Sequence, residues 1–196
     1  MASLRFQDKV VIVTGSSSGI GRTIFWGKAI FAQSDVGEAR QMGNLVQEVG
    51  REFGCLDLLV NNAGVGLEPR TPAVCHPTDE SSVFLGYKYA TAKMLEQPAH
   101  RSGDRGWIIN MSSIMGIIAG LDNRNSLTKQ VAPDYAPYKV HTATRMTPLD
   151  DLNRRHPFNG PGYSDDIARM AVVLASDDAN WVTGVCLPVD GGCTAR

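Results

Sequence analysis

The sequence predicts an α/β domain in which a doubly wound parallel sheet is covered by helices on both faces. Three observations carry this. Short, solidly apolar runs recur at residues 10–14, 56–60, 107–111 and 185–189. Strands without polar alternation are buried on both faces, as in parallel sheets. Amphipathic stretches lie between these runs, so strand and helix alternate. The first strand also runs straight into a glycine-rich turn and a helix start.

Taken in order, residues 10–14 form the first strand and end in Gly15-Ser16-Ser17-Ser18-Gly19-Ile20-Gly21. Residues 38–53 predict a helix, because Met42, Leu45, Val46, Val49 and Phe53 recur at three- and four-residue spacings. Residues 56–60, between Gly54 and Asn61-Asn62-Ala63-Gly64, predict a second buried strand. A helix over 83–97 and a strand over 107–111 follow. The triplet Asn110-Met111-Ser112 matches a glycosylation acceptor, but it falls in that buried strand and is discounted. In the helix over 164–176, Ser164 is the expected cap, with Asp165 and Asp166 at the positive end of the dipole. The strand over 185–189 is closed by Gly191-Gly192.

Composition bounds the function. At 196 residues the chain suits one domain, taken as 1–196. A formal charge of -1 gives no sign of nucleic-acid binding. No apolar run is long enough for a membrane span, and the first residues lack the apolar core of a secretory signal. Cys55, Cys75, Cys186 and Cys193 form no close pair and suggest isolated thiols in a reducing, cytoplasmic setting. His76, His100, His141 and His156 show no ligand spacing, so no metal site is expected.

The glycine turn is the first feature with chemistry. Missing side chains let a backbone turn tightly and approach a pyrophosphate, and the following helix offers N–H groups to the anion. Ser16, Ser17 and Ser18 add hydroxyl donors. A P-loop is disfavoured because the Gly-Lys-Ser/Thr ending is absent.

Several ordered motifs resemble the short-chain dehydrogenase/reductase family. Thr14–Gly21 resembles its cofactor turn, and Asn61-Asn62-Ala63-Gly64 after Leu56-Asp57-Leu58-Leu59-Val60 resembles the motif that lines the cofactor site. Ser34-Asp35-Val36 resembles the end of its third strand, and Lys28–Gln33 resembles that strand itself. Ile108-Ile109-Asn110-Met111-Ser112-Ser113 resembles the strand carrying the catalytic serine. Asp165-Asp166-Ile167-Ala168, Val182-Thr183-Gly184 and Pro188-Val189-Asp190-Gly191-Gly192 resemble its last helix and C-terminal signature. The resemblance implies a Rossmann-like doubly wound sheet and a bound NAD or NADP. It implies cofactor contacts from Gly15, Ser17, Ser18, Gly19, Ile20, Gly21, Asp35, Val36, Asn61, Ala63 and Gly64. Ser113 would hydrogen-bond a substrate alcohol or carbonyl.

The same comparison shows gaps. Only about seven residues remain for the first crossover helix, a rise of about 10 Å. A strand of ordinary length spans roughly 17–20 Å. The family's second strand and the helix after it therefore have no counterpart. Residues 78–83 join what resemble two ends of one helix, and the family's catalytic asparagine is missing. The tyrosine–lysine pair that moves the proton, spaced i, i+4 on one helix face, is absent from its expected place near Asn125 and Ser126. Tyr135 and Lys139 follow Ser113 in the right order but late, with Pro137 between them. Tyr89 and Lys93 share the spacing but precede Ser113. Three readings stay open: an oxidoreductase acting on an alcohol/carbonyl pair; a non-catalytic nucleotide-binding or oligomer-partner protein, including a homo-oligomer; and a mis-spliced product.

Overall fold

The computed structural model describes residues 9–24, 29–64, 77–113, 137, 140–147 and 162–195, with the backbone course alone at 77–80, 113 and 140–147. Five parallel strands form one sheet: β1 (Val11–Val13), β2 (Leu58–Asn61), β3 (Gly106–Ser113), β4 (Val140–Thr147) and β5 (Val185–Pro188). Their spatial order is their chain order. Register is set by pairs such as Ile12↔Leu59, Asn61↔Asn110 and Ser113↔Thr147. Four helices connect and cover them: α1 (Gly19–Ile24), α2 (Ala39–Phe53), α3 (Pro77–Glu96) and α4 (Ser164–Leu174). A short 3-10 turn, Asp177–Ala179, follows α4.

The two-residue period of the strands sorts their side chains into two cores. Leu58, Val60, Trp107, Ile109 and Met111 point to one face, where Ile24 of α1 and Ile167, Ala168 and Ala171 of α4 meet them. Ile12, Leu59 and Ile108 point to the other, against Met42 and Val46 of α2 and Val83, Tyr87, Ala90 and Met94 of α3. Burial on both faces explains why β2 reads as an unbroken apolar run. The doubly wound parallel sheet expected from the sequence is thus present.

Each helix start and stop has a local cause. α2 ends at Gly54, whose φ of 83° is the left-handed cap, with its N–H donating to the Gly50 carbonyl at 3.0 Å. α3 opens on Pro77, the position where a missing N–H costs least. It runs without a break through residues 78–83, so that junction is absorbed into a continuous helix. α4 corrects one expectation. Ser164 is its first residue and not its cap; the cap is Tyr163, whose N–H donates to the Asp166 carboxylate at 2.9 Å.

Two further corrections concern strands. Of residues 28–33, expected as a strand, the described residues 29–33 have no regular structure and lie outside the sheet. α1 and α2 pack on opposite faces, and among the described residues no second strand stands beside β1 to receive this stretch. Among the described residues β1 therefore ends the sheet. In the other direction, only the start of β4, near Val140 and His141, resembles a strand of the family, and its continuation through Thr147 was not expected. Its sequence, VHTATRMT, is too polar to stand out, although Val and Thr favour extended backbone.

Polar clamps hold the end of the sheet opposite the glycine turn. Asp57, 1% exposed, accepts from the Val10 N–H at 2.6 Å and lies 2.9 Å from His100 Nε2. Lys9 donates to the Ala175 carbonyl at 3.1 Å and lies 3.8 Å from the centre of the Trp107 ring. Gln97 holds Leu56 through both its backbone N–H and its carbonyl, each at 2.9 Å.

Candidate active site

The glycine turn leaves the C-terminal end of β1 and is anchored on the end of β2. Thr14 is the hub. Its N–H donates to the Val60 carbonyl at 3.0 Å, and its hydroxyl oxygen accepts from Asn62 N–H at 3.0 Å and Ala63 N–H at 2.9 Å. In return the Asn62 side-chain amide donates to the carbonyls of Thr14 at 3.0 Å and Gly15 at 3.3 Å. Two loops from separate strands are thereby tied into one unit.

The glycines do different jobs. Gly15 has φ 63°, and a Cβ there would lie 2.8 Å from the Ala63 Cα. A Cβ on Gly21 would lie 2.5 Å from Asn62 Nδ2 and 2.7 Å from the Gly15 carbonyl oxygen. Both glycines are thus demanded by close backbone approach. Gly19 is different: its φ is 54°, but a Cβ there would meet nothing within 4 Å. It keeps the outer surface of the turn clear, beside the exposed Ser17 and Ser18. Ile20 turns back, half-buried, onto the α1–α4 core. A cradle closed from behind and open in front fits a pyrophosphate.

The remaining candidates divide. Ala63 and Gly64 continue from the anchor, with Ala63 against the back of the turn and Gly64 exposed. Asp35 and Val36 lie at the entry to α2. Asp35 is engaged in a local turn, accepting from the Gly37 N–H at 2.9 Å, and Val36 packs on the core that contains Ile12. Asn61 points inward: its amide donates to Asn110 Oδ1 at 2.8 Å, and Asn110 donates to the Tyr87 hydroxyl at 2.6 Å. A Cβ on Gly86 would collide with Asn61 Oδ1, so α3 is seated directly on this side chain. Asn61 thus joins β2, β3 and α3 beneath the site.

Ser113 closes β3, three residues beyond the Asn61–Asn110 row, on the same C-terminal side as the glycine turn. Tyr135 and Lys139 lie outside the described residues. Tyr89 and Lys93 lie inside them and face α2. Tyr89 Cε1 would be 3.0 Å from a Cβ on Gly43, and Lys93 Cε 2.8 Å from one on Gly50. Both side chains are spent on helix packing. At the last turn Asp190 accepts from Gly192 N–H at 3.0 Å and Thr194 N–H at 2.9 Å, giving the C-terminal signature a structural role.

Thr14, Asn62, Tyr87 and Asn110 were not picked out as site residues. A threonine ending a β-branched run and an asparagine inside one were the available signals: each is a buried polar group that needs a partner.

Comparison with known proteins agrees with this geometry. A family model described as short chain dehydrogenase matches residues 26–146, more than half of the chain. The chain belongs to the short-chain dehydrogenase family. A second model, described as enoyl-(acyl carrier protein) reductase, matches residues 136–194. An uncharacterized oxidoreductase of Methylorubrum extorquens is 30% identical over 249 residues, covering 96% of this chain and 98% of that protein. The trans-4-hydroxycyclohexanecarboxylate dehydrogenase of Sinomonas cyclohexanicum is 32% identical over 205 residues, covering 91% and 74%. The crystal structure of a short-chain dehydrogenase/reductase from Burkholderia xenovorans superposes with a TM-score of 0.83 at 26% identity, over 98% of both chains. The alignment with the Methylorubrum protein has more positions than this chain has residues, so this member of the family has internal gaps relative to that relative. The family's activity is NAD(P)-dependent oxidoreduction of alcohols and carbonyls. No helix among the described residues is long and apolar enough to cross a membrane.

Proposed function

We propose that this chain binds a nicotinamide dinucleotide at the C-terminal ends of β1 and β2 and uses it on an alcohol/carbonyl pair. One observation carries the reading: Gly15 and Gly21 are forced by contact with Ala63 and Asn62, while Gly19 leaves the front of the turn clear. The backbone of the turn accounts for all three glycines, Gly19 through its φ of 54°, but a side chain at Gly19 would face open space, which leaves the front of the turn room for a ligand.

In this reading the turn from Gly15 through Ser17, Ser18, Gly19 and Ile20 to Gly21 holds the pyrophosphate through backbone N–H groups. The turn and the start of α1 together offer these N–H groups to the anion. Asp35 and Val36 stand on the adenine side, with Ala63 and Gly64 at the floor and Asn61 supporting them from below. Ser113 orients the substrate oxygen by hydrogen bond. The dinucleotide, when bound, supplies or accepts the hydride. The relative from Sinomonas is named for a cyclic hydroxy acid, so cyclic secondary alcohols and ketones are the first substrate class to try.

A second reading is favoured by a specific observation. Tyr89 and Lys93 are occupied in α2–α3 packing, which leaves Tyr135 and Lys139 as the pair to move the proton. If that pair does not act, the chain is a dinucleotide binder without turnover. Calorimetric titration with NADH and NADPH tests the binding. Absorbance assays on a panel of cyclic ketones, with Tyr135→Phe alongside the wild type, separate the two readings. Absence of binding to either dinucleotide would overturn both.

A further inference from the structure

We propose that the Tyr87 hydroxyl is a positioning group for the dinucleotide seat, acting from beneath it through the side-chain amides of Asn110 and Asn61. The inference rests on the nucleotide reading above and deepens it. Tyr87 lies in the middle of α3, buried, with its ring in the core that holds Ile12, Leu59 and Ile108. A phenylalanine would fill the same volume, so the hydroxyl answers a need other than packing.

That need is orientation. The hydroxyl oxygen accepts from the Asn110 amide nitrogen at 2.6 Å, and Asn110 Oδ1 accepts from the Asn61 amide at 2.8 Å. An asparagine amide carries donors at one corner and an acceptor at the other, with almost the same shape both ways round, so its partners decide how it faces. Tyr87 draws the Asn110 nitrogen toward α3 and thereby turns the oxygen toward Asn61. Without the hydroxyl that preference is lost, and a flipped Asn110 would set its N–H groups against those of Asn61. All three side chains are buried, where a mispaired amide is costly. Asn61 is also in contact with α3 itself: its Nδ2 would lie 2.8 Å from a Cβ on Gly86, the residue before Tyr87.

The main chain carries this orientation to the seat. Asn61 ends β2, and the next two residues anchor the glycine turn. The N–H groups of Asn62 and Ala63 donate to the Thr14 hydroxyl, and the Asn62 amide donates to the carbonyls of Thr14 and Gly15. Gly15 and Ala63 approach so closely that a Cβ on the glycine would lie 2.8 Å from the Ala63 Cα. A displacement at the end of β2 is therefore passed to the turn and not absorbed between the two loops. On the neighbouring strand Asn110 stands in register with Asn61, three residues before Ser113. One hydroxyl on α3 thus sets the ends of both strands from which the site is built.

Calorimetric titration of the full chain with NADH and with NADPH, well below the melting temperature of every variant, tests this on wild type, Tyr87→Phe and Tyr89→Phe. Tyr87→Phe keeps the ring and gives up one buried hydrogen bond, so the Kd of the dinucleotide that the wild type binds should rise about three- to tenfold. Tyr89→Phe, on the same helix but facing α2, should leave it unchanged. A hydroxyl with a structural role alone would move the melting temperature and not the affinity of the folded protein. In an Asn110→Ala background, where the row is already broken, Tyr87→Phe should weaken binding no further; an equal further loss overturns the proposal. So does a Tyr87→Phe protein that binds like the wild type, a result that leaves the nucleotide reading standing. A wild type that binds neither dinucleotide overturns that reading and this proposal with it. The wild type alone supplies a further test if the variants fail to fold: the side-chain amide NMR signals of Asn61 and Asn110 should shift on saturation with dinucleotide, and signals that stay in place overturn the proposal.

Discussion

Gly21→Ala is the most informative single change, because the structure fixes what its methyl group meets. The new Cβ would sit 2.5 Å from Asn62 Nδ2 and 2.7 Å from the Gly15 carbonyl oxygen. Neither atom can yield cheaply: the first is held by two carbonyls, and the second belongs to the turn itself. Forcing a methyl group into such a contact costs about 1–3 kcal/mol. Displacing the Asn62 amide gives up two hydrogen bonds of about 1 kcal/mol each. Ala gains about 1 kcal/mol over Gly in a helix interior. The net loss is about 2–4 kcal/mol. For a domain of this size 1 kcal/mol moves the melting temperature by about 2–4 °C, so a fall of roughly 5–15 °C is expected.

Gly19→Ala provides the control. Its methyl group meets nothing within 4 Å, and the cost is that of a non-glycine residue at φ 54°, about 1–2 kcal/mol. That variant should melt closer to the wild type, yet lose as much of the stabilisation that saturating NADH confers, because the methyl projects from the front of the turn. Thermal melts with and without dinucleotide measure both quantities. If Gly21→Ala melted within about 2 °C of the wild type, or if Gly19→Ala kept its full ligand-induced shift, the assignment of back and front would be wrong.

Three other outcomes follow from the same contacts. Asn110→Ala removes the link between Asn61 and Tyr87 in a fully buried site; it should cost about 2–4 kcal/mol, read as a lower urea midpoint at unchanged slope. Burial pushes the Lys9 ammonium below the ordinary lysine range, with Asp177 and Asp57 pulling the other way. The folded state then binds that proton less tightly than the unfolded chain, so Lys9 makes stability rise with pH between its depressed value and the ordinary one. Lys9→Met should therefore lose ground to the wild type as pH is raised through that alkaline window, and a difference that stays flat would count against it. Tyr89→Phe should leave any turnover of the wild type unchanged, because its ring serves α2–α3 packing, whereas Tyr135→Phe should abolish it; steady-state rates on one ketone compare the two.

Much of this was legible in the sequence, for reasons that differ by element. β1, β2 and β3 announce themselves because strands buried on both faces must be apolar throughout, and α2 does so because one of its faces alone is buried. The glycine turn is legible as well, because it stands directly between a strand and a helix start and is followed in order by the Asn61–Gly64 and Ser113 motifs. β4 was hidden, because its Thr, His and Arg residues carry no apolar pattern and its place is decided by pairing with β3 on one side and β5 on the other. The Asn61–Asn110–Tyr87 chain was hidden for the same reason: register brings together residues 49 and 23 positions apart.

Residues 29–33 mark where local sequence and topology part. Their composition suits a strand, but a strand forms only where an edge receives it. Among the described residues no strand stands between this segment and β1. What remains is a β-prone segment outside the sheet and a sheet edge among whose described neighbours only β2 pairs with it. Among the described residues this gap puts β1 at the end of the sheet. It leaves the glycine turn untouched, because that turn is anchored through Thr14, Asn62 and Ala63 on the β2 side and needs nothing from the missing neighbour.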